Sequence, residues 1–217
     1  MTFGEPFTRA LLLGCGSIRV PPRDVLRTLA LESGINPFAR NARSRARGMW
    51  QCMPRGAVEY TVTDPVRQIN DAFAFWRAFM TQHHIATFKS GNEFYCLNLA
   101  PARLIGGLCD ESTIIYSTNP EDQPLNAQGD RFSRTYWPTA YRDNAAPFGL
   151  DPKDPRGRLR MRDLSAGLDA AVKRCQARFG AELAEAVRLD GPTPATWHGT
   201  ADQPDIRDPA LREPDAG

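Results

Sequence analysis

Hydrophobic positions recur most regularly between Asp64 and Gln82. Val66, Ile69, Phe73, Trp76 and Met80 follow one another at intervals of three, four, three and four residues, the period of one helical face. Asp64-Pro65 is a helix start, because the Asp side chain accepts from an early free N–H and Pro loses no bond at the first helical position. The spacing predicts a helix over 65–82, with Arg67, Asn70, Asp71 and Arg77 outward and Phe75 and Phe79 widening the apolar stripe. A second helix is predicted over 23–33, with Val25, Leu26 and Leu29 inward and Gly34 as its C-cap. A third runs over 163–189, where Leu164, Leu168, Val172, Cys175, Phe179, Leu183 and Val187 form one stripe.

The other apolar runs are short and read as strands. Residues 8–15 and 17–20 form a pair around Gly14-Cys15-Gly16, and residues 57–63 alternate Val58, Tyr60 and Val62 against Glu59 and Thr61. Residues 85–88 and 93–99 flank Lys89-Ser90-Gly91-Asn92, whose Gly and Asn suit a hairpin turn. Residues 112–117 give another strand through Ile114, Ile115 and Tyr116, and 102–109 give a short strand or a turn around Gly106-Gly107. The predicted class is therefore α+β: an antiparallel sheet of about five short strands covered by two long helices. Residues 1–189 are expected to form a single domain. It includes a basic loop at 36–56 and a long, proline-rich irregular connection at 119–162. Residues 190–217 are acidic and proline-rich, and are expected to be a disordered tail.

The Leu-Leu-Leu-Gly-Cys-Gly run at residues 11–16 resembles the strand and glycine loop of S-adenosylmethionine-dependent methyltransferases. That loop needs a helix directly after its glycines, whereas Ile18-Arg19-Val20-Pro21-Pro22 reads as extended, so the run is assigned to a hairpin turn.

Composition narrows the class without naming a function. The chain has 217 residues, 41% hydrophobic and 24% charged, ordinary for a soluble protein, and it is expected to be cytoplasmic. It has no apolar run long enough for a membrane span, and its first residues have no leader pattern. Cys15, Cys52, Cys96, Cys109 and Cys175 are scattered singly, without C-x-x-C or zinc spacing, which predicts reduced thiols, no metal and no cofactor. Lys89, Lys153 and Lys173 are the only lysines among 27 basic residues. That bias points to a GC-rich bacterial or phage genome, so only clustering of arginine carries information.

The cluster is Arg40, Arg43, Arg45, Arg47 and Arg55, in a window (36–55) with no acid. These residues follow no single period, which predicts a mobile loop, and Trp50 and Phe38 lie beside them. Arginines with interleaved aromatics suit a phosphate backbone and stacked bases, so the expected partner is a nucleic acid, a nucleotide or another phosphate-bearing molecule. Phe132, Tyr136, Trp137 and Tyr141 form the expected second contact. Two rival readings remain. One is a nucleotide-directed group-transfer or hydrolytic enzyme, with a cleft of His83, His84, Cys96 and Asn98. The other is a structural protein that oligomerises through the aromatic segment and the last helix.

Overall fold

The computed structural model describes residues 4–53, 62–105, 109–123 and 136–179. Among them are six α-helices and one two-stranded antiparallel sheet, not a sheet of five strands. The helices are α1 (Glu5–Ile18), α2 (Pro22–Ser33), α3 (Pro65–Gln82), α4 (Gly91–Leu99), α5 (Tyr136–Asn144) and α6 (Leu164–Phe179). Strand β1 (Ile114–Ser117) pairs with β2 (Arg158–Arg160), in a register that slips between Ile114 and Tyr116. No helix among the described residues is long and apolar enough to cross a membrane.

α3 forms as its sequence predicts. Asp64 caps it by accepting from Arg67 N at 2.6 Å, and Ile69, Phe73, Trp76 and Met80 are buried. Val66 is only half-buried, and the buried face instead includes Gln68 and Ala72. α2 also forms as expected, ending at Gly34, which adopts a left-handed φ of 64° and donates to the Ala30 carbonyl.

Neither predicted strand pair forms: most of residues 8–20 lies in α1, residues 93–99 lie in α4, and residues 85–88 are neither helix nor strand. In α1 the buried residues are Phe7, Ala10, Leu11, Gly14, Cys15 and Ile18, alternating steps of three and one, which is a helical stripe. Gly14 is no turn residue. It is the point where α1 lies against the Phe73 ring of α3, and a Cβ there would fall inside that ring's van der Waals envelope. In α4, Ser90 is an N-cap accepting from Glu93 N, and the Glu93 carboxylate accepts from Lys89 N at 2.6 Å. The polar run taken for a hairpin is thus a variant of the Ser-x-x-Glu helix start. Residues 92–97 are all buried, so α4 has no polar face and no visible 3.6-residue period.

The aromatic part of the 119–162 connection supplies α5, and its last residues supply β2. The predicted strand at 57–63 and turn at 106–107 lie largely outside the described residues, as do 180–189 of the last predicted helix and the tail.

α1 packs on α3, α2 on α6 and α4, and α5 on β1. Trp50, Phe73, Trp76 and Phe94 meet edge to face at the centre, with centroids 4.4 Å apart for Trp50–Trp76 and 5.2 Å for Trp76–Phe94. Arg27 of α2 ties α2 to α6, reaching Asp24 at 3.2 Å and Asp169 at 2.8 Å.

Candidate functional site

Residues 36–53 of the basic loop are tied together by backbone hydrogen bonds. Arg47 N and O both pair with Cys52, Asn41 N donates to Ala46 O, and Gly48 N donates to Ala39 O. The Asn41 side chain also accepts from Arg43 N and Ser44 N, each at 3.0 Å. Gly48 is required twice over: its φ is +74°, and a Cβ would stand 2.5 Å from Gln68 Oε1.

Gln68 of α3 clamps the loop from below. Its Oε1 accepts from Met49 N at 2.7 Å, and its Nε2 donates to the carbonyls of Pro37 and Val62 at 3.0 and 2.9 Å. Its own backbone carbonyl accepts from Trp50 Nε1 at 3.2 Å. A buried amide whose oxygen and both N–H groups are hydrogen-bonded is a firm anchor. Trp50 is 1% exposed and belongs to the core, so it presents no face to a base.

The anchored loop holds Arg40, Arg43 and Arg45 exposed, with Arg47 half-buried, while Arg55 lies outside the described residues. Arg43, whose side chain is 82% exposed, meets Asp143 at the end of α5 at 2.9 Å. An ion pair in solvent is worth about 0.2–1 kcal/mol, so Asp143 holds Arg43 only weakly.

The proposed aromatic contact is divided. Trp137 and Tyr141 are buried in α5, with Tyr141 Oη donating to the Asp151 carbonyl at 3.1 Å. Phe132 and the Tyr136 side chain lie outside the described residues.

The acid–base candidates do not form a nucleophilic pair. Cys96 is buried in α4, its thiol pushed up by desolvation, and its Sγ points to the Ala100 carbonyl at 3.6 Å. His83 caps α3 with its ring against Phe79, and His84 is exposed at φ +55°. No hydrogen bond among the described residues joins either His to Cys96. Nor does any group of three or more His, Cys, Asp or Glu suit a metal ion there.

Two polar clusters escaped the sequence reading. In the first, Glu32 near the end of α2 accepts from Asn98 Nδ2 at 3.0 Å and from the Tyr95 hydroxyl. Asn98 Nδ2 also reaches the Trp50 carbonyl at 3.3 Å, joining the cluster to the basic loop. Desolvation pushes the Glu32 carboxyl up to about 7, against the opposing pull of the Asn98 and Tyr95 hydrogen bonds. In the second, the Arg103 guanidinium stacks 4.5 Å from the Trp137 ring centroid and donates through Nη2 to the Ile114 carbonyl. Neither has a local sequence signal, because the partners lie on different elements.

Comparison with known protein families, curated proteins and solved structures gives no match for this chain.

Proposed function

We propose that this protein binds a phosphate backbone, that of a nucleic acid, through Arg40, Arg43 and Arg45. The observation that carries the reading is the fixed presentation of these arginines. Three exposed guanidiniums stand on a loop whose backbone is tied internally and clamped by Gln68. Long cationic side chains on a preformed scaffold lose less conformational freedom on binding than those on a mobile loop. Recognition rests on charge, since Trp50 is committed to the core and cannot stack a base.

The test is a salt-dependent titration of the full chain against duplex DNA, single strands, RNA and free nucleotides. Three phosphate contacts on duplex DNA give a slope of log K against log salt of about −2.7, at about −0.9 per contact. The variant R40E/R43E/R45E should lose polymer binding while keeping the wild-type melting curve. Unchanged binding by that variant at low salt refutes the proposal. Tight binding to one free nucleotide with no affinity for polymers also refutes it.

A further inference from the structure

Arg103 ends the 3-10 turn Pro101–Arg103 and lies between β1 and α5, beside the buried thiols Cys96 and Cys109. Its Nη2 is satisfied by Ile114, but its buried Nε has no hydrogen-bond partner among the described residues. The indole Nε1 of Trp137, a residue only 4% exposed, is also buried and has no partner among them. The two orphaned donors thus belong to one stacked pair. A buried donor left unpaired costs about 1–3 kcal/mol, and more when charged, and a buried indole N–H ordinarily finds an acceptor.

Arg27 is the informative contrast. Its Nε is buried and unpaired too, but its Nη1 and Nη2 rest on the carboxylates of Asp24 and Asp169. Arg103 has no such partner among the described residues. The groups that act on its charge are the Cys96 and Cys109 thiols and the Tyr116 hydroxyl, none of them a carboxylate. Burial accordingly weakens its hold on its proton. What Arg103 needs is negative charge, and what both N–H groups need is an acceptor. An oxyanion supplies both, whereas a water supplies only lone pairs.

We propose that Arg103 and Trp137 form a binding site for a small oxyanion, a carboxylate or phosphate group, accepting from Arg103 Nε and Trp137 Nε1. The site uses none of the loop arginines, so it stands or falls independently of the phosphate-backbone reading.

The test follows the two N–H groups directly in proton–nitrogen NMR spectra of the ¹⁵N-labelled full chain. Their resonances are assigned with W137F and R103K. The protein is titrated with inorganic phosphate and, separately, with acetate, each against chloride at matched ionic strength. Saturable shifts of both resonances with one dissociation constant are expected in at least one arm, and the preferred arm separates phosphate from carboxylate. R103K should weaken binding at least ten-fold, and R40E/R43E/R45E should leave the titration unchanged. Should R103K fail to fold, W137F read through the Arg103 Nε signal takes its place, with the same loss expected. The proposal is overturned if neither resonance responds to either anion, if chloride shifts them equally, or if the donors contact only a bound water at saturating anion.

Discussion

Replacing Glu32 with Gln tests whether the α2–α4 polar cluster is paid for in stability at neutral pH. The folded carboxyl is held near 7, whereas an unfolded glutamate titrates near about 4.3. The folded state therefore binds this proton more tightly than the unfolded state. Its contribution favours folding fully below about pH 4.3 and is lost as pH rises to about 7. At about 1.36 kcal/mol per pH unit, the loss is about 4 kcal/mol. Gln is neutral throughout and can still accept from Asn98 and Tyr95. Urea denaturation of both proteins across this range cancels the titration of all other groups in the difference. The stability of E32Q relative to wild type should rise by about 4 kcal/mol from acid to mildly alkaline pH. For a chain of this size that corresponds to roughly 10 °C in melting temperature. A difference that stays flat with pH would refute the argument, and would mean that water relaxes around the carboxylate.

Two substitutions test the packing. Gly14→Ala should raise helix propensity by about 1 kcal/mol, yet Phe73 occupies the space of the new methyl group. Net destabilisation of about 1–3 kcal/mol is expected from the clash, and a rise in melting temperature would contradict the close contact of α1 and α3. Gln68→Ala removes three hydrogen bonds between α3 and the basic loop. It should cost at least about 2 kcal/mol and raise amide exchange at Gly48 and Met49, whereas unchanged exchange would show that the loop holds itself.

Legibility in the sequence depended on whether the signal was local and one-sided. α3 announced itself through Asp64-Pro65 and a stripe with a polar opposite face, and the Gly34 cap marked the end of α2. α1 was hidden because Gly14 and Gly16 look like turn residues, although Gly14 serves contact with a ring on another helix. α4 was hidden because burial on all sides erases periodicity. The arginine cluster was visible as composition, but its rigidity was not, since the clamp comes from Gln68 on a later helix. Trp50 was misjudged for the same reason: proximity to arginines in sequence says nothing about the cavity its ring fills. Glu32 meets Asn98 across 66 residues, a separation no local pattern reveals.

The packing of α2 on α6 has a consequence for how the chain is made. Synthesis completes α2 at Ser33, but its partner helix ends at Phe179. At about 5–20 residues per second, roughly 7–30 s pass before the ribosome has added the intervening residues. Throughout that interval α2 lacks α6, one of the two helices it packs on, whereas α1 can settle on α3 once Gln82 has been added and α4 is complete at Leu99. The nascent chain thus carries an incompletely covered α2 for most of its translation. A holding chaperone would find its substrate there, and clearing the final helix from the exit tunnel would release it.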